Sequence, residues 1–297
     1  MKGQVATSKA AHRWWMTLVW LLGVGAAHAL QVTDDRGLPV TFAQSPQRVV
    51  SLIPSLTESV CALGQCQRLV GIDRYSNYPS QVTALPRVGG GLDPNVEAIL
   101  LLRPDVVLVS GKSRAADKLE SLGFKVLSLE TKNHADVQHV LKVLSALFNV
   151  PDAQGVDKLW REIGSGVAAA AQSVPEQARH VSVFFEVGSG QYGASQASFI
   201  GETLSRLGVK NVVPARLGPF PKLSPEFIVR SNPDVIMTSS ASLPTLALFP
   251  RWSSLKAVQT QRVCVFSSLE SDVLVRPGPR MAEAAWLMAK CLQNKVK

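Results

Sequence analysis

The chain has 297 residues, of which 46% are hydrophobic and 18% charged, and its formal net charge is +9. This hydrophobic content is enough for two modest cores and excludes a largely disordered chain. The positive charge forms no dense Lys/Arg run and no basic-aromatic alternation, so the composition argues against a nucleic-acid-binding protein.

The first predicted element is an export signal at residues 1–29. A basic start without acids (Lys2, Lys9 and Arg13) precedes an apolar stretch at residues 14–27 that is too short to span a bilayer. Residues 27–29 (AHA) fit the small-x-small cleavage rule, and no cysteine follows to mark a lipoprotein. An uncleaved membrane anchor is the alternative. Cleavage after Ala29 would leave a periplasmic chain of net charge near +6.

An α/β pattern follows. Residues 30–47 are polar and include a DDRG turn, and residues 48–53 predict the first strand. The next helix is expected to begin at a capping box, with Ser55 as the cap and Glu58 reaching back to it. Gly64 ends this helix. Further strands are predicted at 68–72 and 125–129, an irregular loop at 73–79, and helices at 117–122 and 136–148.

One helix-strand unit occurs twice. Residues 95–110 read NVEAILLLRPDVVLVS, and residues 224–239 read SPEFIVRSNPDVIMTS. In both copies a glutamate, Glu97 or Glu226, stands seven positions before a Pro-Asp-Val triplet. Proline beyond an apolar helix ends it, and a run that is apolar on both faces suits a buried parallel strand. The matched spacing favours two similar lobes, with chance similarity of a common unit as the alternative.

Residues 152–174 predict one long helix between the two lobes. Its apolar residues lie on a single helical stripe, and Pro175 stops it. At 1.5 Å per residue this helix would be about 35 Å long. The predicted organisation is therefore an N-terminal lobe at residues 30–150, a connecting helix at 151–175 and a C-terminal lobe at 176–297. In the second lobe, strands are predicted at 180–187 and 262–266, and helices at 199–207 and 281–292.

Motifs for catalysis or metal binding are weak. Residues 188–193 (GSGQYG) match a dinucleotide fingerprint, but residues 203–222 contain no acid to bind the ribose. A Gly-rich rim of a cleft is favoured instead. His134 and His139 are five positions apart and lack a matching third ligand. The sequence has neither GxSxG nor HExxH, so we predict no catalytic residue and no metal site.

Four cysteines, at positions 61, 66, 264 and 291, would lie in an oxidising compartment, where an even number favours disulfides. Three pairings are possible. Cys61–Cys66 and Cys264–Cys291 are favoured because each pair then stays within one lobe.

Candidate ligand contacts fall in irregular segments after predicted strands, the edge of an α/β sheet where ligands bind. They are Tyr75, Tyr78, Tyr192, Phe220 and Asp272. The alternatives are core or turn packing for the aromatic residues and simple solvent exposure for Asp272.

Several motifs together resemble a known family. Residues 48–58 (RVVSLIPSLTE), the two repeated units and residues 276–280 (RPGPR) are similar to the periplasmic binding proteins for vitamin B12, haem and iron chelates. Residues 75–79 (YSNYP) are closest to the vitamin B12-binding branch. The resemblance implies two Rossmann-like α/β lobes joined by a single long backbone helix, with the ligand cleft between the lobes. It also implies a monomeric binding protein, not an enzyme, that has no resident cofactor and delivers its ligand to an ABC importer permease.

The resemblance also implies roles for individual residues. Expected ligand contacts are Ser55, Tyr75, Tyr192, Phe220 and Asp272. Glu97 and Glu226 are expected to meet arginines of the permease, one from each lobe. The expected ligand is a cobalamin. Because Gly91, Ser110, Phe220 and Val273 stand where that branch has aromatic residues, haem or a ferric siderophore is the alternative ligand. The alternative from another class of protein is a secreted α/β enzyme.

Overall fold

The structure is a computed structural model that describes residues 2–3, 29–111, 114–151, 155–188 and 191–296. The expected export signal lies outside the described residues, apart from residues 2, 3 and 29. None of the helices in the described part of the chain combines the length and hydropathy needed to span a bilayer.

The described residues contain strands and helices in alternation. The strands are β1 (Leu30–Thr33), β2 (Pro39–Phe42), β3 (Val49–Ser51), β4 (Leu69–Ile72), β5 (Val106–Val109), β6 (Val126–Ser128), β7 (Ser182–Val187), β8 (Tyr192–Gly193), β9 (Lys210–Asn211), β10 (Val235–Ser239) and β11 (Val263–Phe266). The α-helices are α1 (Pro54–Ala62), α2 (Val96–Leu102), α3 (Arg114–Ser121), α4 (His134–Leu147), α5 (Val156–Gln172), α6 (Phe199–Arg206), α7 (Pro225–Ser231), α8 (Leu243–Ala247), α9 (Lys256–Gln259), α10 (Ser268–Val275) and α11 (Met281–Lys295).

The N-terminal lobe is built on a parallel sheet with the strand order β4-β3-β5-β6. Every residue of β5 is buried, as expected for a strand covered on both faces. Val106 and Leu108 belong to the same core cluster as residues of α1 and α4. Val107 and Val109 pack on the other face, in the cluster that includes residues of α2 and α3. The continuous apolar run of β5 follows from this two-sided burial.

The C-terminal lobe has a second sheet with the order β11-β10-β7-β8, and β9 also pairs with β7. The pairings are parallel except for β8, which runs antiparallel to β7. No strand pairing joins the two sheets within the described residues. The chain therefore has the expected α/β architecture of two lobes. The largest core cluster contains residues of both lobes and of α5. Within the described part of the chain, the two lobes are therefore joined by side-chain packing and not by strand pairing.

The repeated unit has the same structure in both lobes, which confirms the predicted helix, stop and strand. The Asn95 side chain accepts a hydrogen bond from the Ala98 amide at 3.0 Å to cap α2, and Ser224 caps α7 in the same way. Each helix ends at a residue in the left-handed region, Arg103 at φ 45° and Asn232 at φ 39°. The Pro-Asp-Val triplet then leads into β5 or β10.

The aspartate of each triplet fixes the neighbouring strand. Asp105 Oδ2 accepts hydrogen bonds from the backbone amides of Gln47 and Arg48, just before β3. Asp234 Oδ2 accepts from the amide and hydroxyl of Ser182, the first residue of β7. In both lobes the motif thus holds the start of the strand that pairs with its own strand.

The connecting helix α5 is shorter than predicted. It begins after Gly155 and has 17 residues, which corresponds to about 26 Å rather than 35 Å, while residues 152–154 of the prediction lie outside the described part of the chain. Its buried face carries Ile163, Val167 and Ala170, so the predicted apolar stripe is confirmed. The helix packs against α11 and α4. A Cβ on Gly166 would lie 2.6 Å from the Ala282 Cβ, so this glycine permits the close approach of α5 and α11.

The predicted elements omit the strands β1, β2, β8 and β9 and the helices α8, α9 and α10. The hairpin of β1 and β2 lies in the segment that was expected to be only polar. The carboxylate of Asp34 holds it, because this side chain accepts from the amides of Arg36 and Leu38 and from that of Ser128 at the end of β6. A single buried carboxylate therefore fixes both the turn and its position on the sheet.

Both predicted disulfides form. Cys61 and Cys66 join the end of α1 to the next short turn, with Cα atoms 4.1 Å apart. Cys264 of β11 joins Cys291 of α11, with Cα atoms 5.9 Å apart. Each bond lies within one lobe, which confirms the favoured pairing.

Candidate ligand-binding cleft

A cavity of about 520 Å³ lies between the two lobes. Its walls come from segments that follow the carboxyl ends of β3, β4, β5 and β6 in one lobe and of β7 in the other, together with α6 and the end of α10. Parallel strands present these ends at a common edge, which places the loops of several strands around one space. The lining residues are Ile53, Pro54, Ser55, Tyr75, Ser110, Glu130, Thr131, Lys132, Val187, Phe199, Ile200, Phe220, Asp272, Val275, Arg276 and Pro277.

The structure brings four of the five predicted ligand residues to this cavity, namely Ser55, Tyr75, Phe220 and Asp272. Tyr192 is not among the lining residues; it lies in β8, where it pairs with Val187. Asp272 occupies a different context from the one predicted, since it belongs to α10 and not to an irregular segment.

The glycine-rich motif at residues 188–193 leads into β8 instead of opening a helix. Residues 189 and 190 lie outside the described part of the chain, while Gly188 and Gln191 both have positive φ. A phosphate-binding fingerprint needs a helix N-terminus directly after the glycines. The described backbone therefore has the form of an antiparallel turn and not of a dinucleotide site.

Much of the cavity wall is apolar. The rings of Phe199 and Phe220 meet edge to face, with centroids 5.8 Å apart. Phe199 begins α6, and its amide donates to the carbonyl of Lys132 in the other lobe at 2.8 Å. The aromatic pair thus stands where the two lobes meet, and its faces suit a flat, largely apolar ligand.

Tyr75 is the most exposed aromatic residue of the cavity, with 64% of its surface accessible. The Arg74 guanidinium lies 5.9 Å from the centre of its ring. Tyr78, from the same loop, is fixed differently, since the Arg280 guanidinium of the other lobe lies 4.2 Å from its ring centre. Tyr75 is therefore an exposed aromatic side chain of the cavity wall, whereas Tyr78 is a contact between the lobes.

Asp272 is bonded through one of its two carboxylate oxygens. Its Oδ2 accepts from Asn77 Nδ2 at 2.8 Å and pairs with Arg276 Nη2 at 2.9 Å. Both partners are fixed in turn, because Arg276 Nη1 donates to Asn77 Oδ1 at 2.7 Å. The second oxygen, Oδ1, has no hydrogen bond within the described residues, and the side chain keeps 34% exposure. Asp272 is therefore positioned to accept an N–H from a ligand.

A buried ion cluster stands behind this wall. Glu58 of α1, whose side chain is only 2% exposed, accepts from Arg276 at 3.0 Å. It also accepts two hydrogen bonds from Arg280, at 2.7 and 2.8 Å. Burial would lower the pKa of Arg280, but the hydrogen bonds from Arg280 to Glu58 raise it above its ordinary value. The cluster thus joins α1 of one lobe to the segment after α10 of the other, and removing one partner would leave an uncompensated buried charge.

The predicted capping box at Ser55 is therefore wrong. Ile53 occupies the cap position without a side-chain hydrogen bond, and Pro54 begins the helix. Ser55 lies inside α1, where its carbonyl accepts from the Ser59 hydroxyl. The carboxylate that was assigned to the box, Glu58, is bound by arginines more than 200 residues away in sequence.

The opposite side of the cavity carries an ion pair between Glu130 and Lys132, which follow β6. The hydrogen bond to Glu130 is the main cause that raises the pKa of Lys132. Asp35 fixes the backbone here by accepting from the Glu130 amide. A Cβ on Gly111 would lie 2.5 Å from Glu130 Oε1, so the glutamate packs directly against this glycine.

The two histidines considered as metal ligands have other partners. His134 is buried, and its Nε2 lies 2.9 Å from the Thr203 hydroxyl of α6. Burial lowers the pKa of His134. His139 is 3.1 Å from Asp35. Among the described residues no group of three or more His, Cys, Asp or Glu side chains could hold a metal ion.

Glu97 and Glu226 lie in the first turns of α2 and α7, on exposed positions of the two lobes. The pKa of Glu226 is lowered mainly by a hydrogen bond from the Glu226 backbone amide, and to a smaller extent by one from the Ser224 side chain. An acid in the first turn suits the positive end of the helix dipole. Both residues are thus accessible anions at matched sites.

Sequence reasoning missed Glu58, Arg280, Glu130 and Lys132 as parts of the site. Arg276 and Arg280 appeared only within the RPGPR motif. One sequence feature could have indicated these arginines. Two arginines only four positions apart flank prolines next to an apolar helix, and two exposed cations are unusual at such a place. Nothing local pointed to their shared partner, Glu58.

Comparisons with known proteins agree with this geometry. The periplasmic binding protein family matches residues 49–268. An ABC transporter substrate-binding lipoprotein of Bacillus subtilis (strain 168) is 29% identical over 273 residues, covering 88% of this chain and 84% of the relative. The periplasmic vitamin B12 binding protein BtuF of Vibrio cholerae is 27% identical, with a TM-score of 0.69 over 85% of this chain and 99% of that one. The haem-binding protein BhuT, in complex with two haems, is 25% identical, with a TM-score of 0.70 over 86% and 100%.

Proposed function

Since the chain belongs to the periplasmic binding protein family, we propose that it captures a cobalamin-type corrinoid between its lobes and delivers it to an ABC importer. The observation that carries this proposal is the placement of Tyr75, Phe220 and Asp272, from opposite lobes, around one cavity. Two aromatic contacts suit the apolar faces of a corrin, and an aspartate oxygen suits the N–H donors of its amide rim. The likeness to the vitamin B12 binding protein of Vibrio cholerae supports the same ligand.

Haem is the second candidate, because the likeness to a haem-bound structure is of similar strength. A haem iron needs an axial ligand such as Tyr or His. No histidine lines the cavity in the described residues, so Tyr75 is the lining residue that would serve. Tyr75→Phe therefore separates the two ligands, since it keeps an aromatic face and removes the phenol oxygen.

The test is an absorbance spectrum of the purified protein after incubation with cyanocobalamin or haemin and removal of free ligand by gel filtration. We expect cyanocobalamin to co-elute in equimolar amount with both the parent protein and Tyr75→Phe. Retention of haemin with a shifted Soret band that Tyr75→Phe abolishes, together with no retained cyanocobalamin, would replace the corrinoid by haem.

A catalytic function has less support. The family comprises substrate-binding transport proteins. The cavity lining in the described residues contains serines and a threonine but no histidine or cysteine that could form a nucleophile-base pair.

Glu97 and Glu226 are the proposed contacts to the permease. The double variant Glu97→Ala/Glu226→Ala should lose ligand uptake by cells that depend on this protein, while ligand affinity stays unchanged. Glu162→Ala, an exposed glutamate on α5, is the matched control. If the double variant supports full uptake, the two glutamates act only as helix-dipole caps, a stabilisation of about 0.3–1 kcal/mol each.

The proposal includes export to the periplasm as a monomer. N-terminal sequencing of the exported protein should start at Leu30, and an intact Met1 would contradict cleavage. Gel filtration coupled to light scattering should give the mass of a single mature chain.

A further inference from the structure

The charged residues of the cavity wall are already paired with one another. Glu130 contacts Lys132 on one side, and Asp272 contacts Arg276 at 2.9 Å on the other. Together these are the acidic and basic residues of the lining within the described part of the chain. Within the described lining, each cation therefore has a carboxylate partner.

Arg276 has little capacity left for a ligand. Its Nη1 donates to Glu58 and Asn77, and its Nη2 donates to the Tyr75 carbonyl and pairs with Asp272. These four contacts match the four hydrogens on the two Nη atoms. The side chain is also only 7% exposed. A ligand carboxylate could bind Arg276 only by displacing a contact that holds the cluster between the lobes.

Lys132 is the more exposed cation of the wall, at 55%, but it is surrounded by carboxylates. Besides Glu130, the charges of Asp136 and Asp35 act on it and raise its pKa. His139 stands beside Asp35 at 3.1 Å and is mostly exposed. An anion that approaches Lys132 therefore meets three acidic groups around one cation.

The charged residues that lie behind the cavity wall do not change the excess of acidic over basic groups. Among the described residues, five carboxylates and three cationic side chains line the cavity or belong to the two ion clusters described above. The carboxylates are those of Glu58, Asp272, Glu130, Asp35 and Asp136, and the cations are Arg276, Arg280 and Lys132. The described residues in and around the cleft thus carry more acidic than basic groups, in a chain whose net charge is +9.

We propose that this cleft selects ligands that carry no net negative charge, and that the pairing of Lys132 with Glu130 is the feature that excludes anionic ones. The inference rests on the proposed function and refines it to a corrinoid whose rim is amidated. A ligand amide can donate to Asp272 Oδ1, which is free among the described contacts, whereas a ligand carboxylate can only accept and would face the acidic groups.

The test compares cyanocobalamin with its monocarboxylic acid, made by hydrolysis of one propionamide side chain. The two differ by one charge at nearly constant shape. At low salt we expect the acid to bind roughly three- to tenfold more weakly, as expected for like charges about 10 Å apart at a partly screened site. The difference should shrink at high ionic strength, since added salt screens it. Equal affinities at low salt would overturn the proposal.

Variants identify the residue responsible. Glu130→Gln removes the partner of Lys132, so it should improve binding of the monocarboxylic acid relative to cyanocobalamin and narrow the difference between the two affinities. Glu162→Gln, exposed on α5, should change neither. A Glu130→Gln variant with the parent's discrimination would exclude this ion pair as the determinant.

The proposed selection against negatively charged ligands can also be tested with a ligand that is not a corrinoid. If cyanocobalamin does not bind at all, the proposed function is wrong, and haemin and its dimethyl ester become the matched pair. The uncharged ester should then bind more tightly than haemin with its two propionates. Tighter binding of haemin would contradict charge selection as well.

Discussion

Two glycines on the connecting helix provide a matched test of how α5 packs. Gly164 and Gly166 are both helical and only two positions apart, yet their surroundings differ. A Cβ on Gly164 would meet nothing within 4 Å, while one on Gly166 would lie 2.6 Å from the Ala282 Cβ of α11. The same substitution, glycine to alanine, should therefore have opposite effects at the two positions.

The magnitudes follow from two opposing effects. Alanine in a helix interior is favoured over glycine by about 0.5–1 kcal/mol, and Gly164→Ala should gain this amount in the free energy of unfolding. Gly166→Ala gains the same propensity, but carbon atoms pack at about 3.5–4.0 Å, so α5 and α11 must separate by roughly 1 Å. Overpacking of this kind costs about 1–3 kcal/mol, which makes Gly166→Ala destabilising by about 1–2 kcal/mol.

Thermal unfolding under oxidising conditions measures the difference. For a chain of this size each kcal/mol corresponds to about 2–4 °C in Tm, so Gly166→Ala should unfold several degrees below Gly164→Ala. The double variant Gly166→Ala/Ala282→Gly removes the clash and should recover most of the loss in a double-mutant cycle. Equal stability of the two alanine variants would refute the close approach of α5 and α11.

Three further predictions concern stability. Replacing Cys264 and Cys291 together by serine opens a loop of sequence separation 27 and should cost about 3–4 kcal/mol in denaturant unfolding; a loss below 1 kcal/mol would contradict this. Burial alone would raise the pKa of Asp234, but hydrogen bonds, including one from Lys256, lower it from 3.8 to about 2. Its stabilisation is therefore present above about pH 4 and lost as the pH falls towards 2, so the deficit of Asp234→Asn should be full at pH 7 and vanish near pH 2. Burial raises the pKa of Glu186, so its ionisation opposes folding increasingly as the pH rises above 4.5; Glu186→Gln should be more stable than the parent at pH 7, with a gain that disappears at acidic pH.

Local patterns predicted most of the regular structure. The repeated Pro-Asp-Val units could be predicted because each structural feature has a recognisable sequence pattern. Proline marks the end of the helix, and a continuous apolar run marks a strand that is buried on both faces. Gly64 illustrates the same point, since its positive φ of 73° at the end of α1 follows from its position after an apolar helix. The β1–β2 hairpin was missed because each strand has only four residues and its position depends on the buried carboxylate of Asp34.

The site was predicted only in part, because its polar contacts join distant segments. Ser55 and Glu58 have the spacing of a capping box, so the sequence pattern assigned Glu58 to the helix cap. No residue near Glu58 in the sequence indicates that arginines bind it. The structure shows that Glu58 binds Arg276 and Arg280 from the other lobe. Tyr192, which was expected in the cleft because it follows a predicted strand, lies in β8 and is not among the lining residues, so its role as a ligand contact stays a prediction. The placement of the two lobes relative to each other depends on packing between residues that are distant in the sequence, and the periodicity of hydrophobic residues does not predict such packing.

Titration calorimetry with cyanocobalamin tests the central claim most directly. We expect one binding site per chain with micromolar or tighter affinity. Tyr75→Ala and Phe220→Ala, which lie on opposite lobes of the cavity, should each weaken binding, because a ligand between the lobes contacts both residues. Absence of heat with cyanocobalamin, or binding that neither substitution weakens, would contradict a corrinoid site in this cleft.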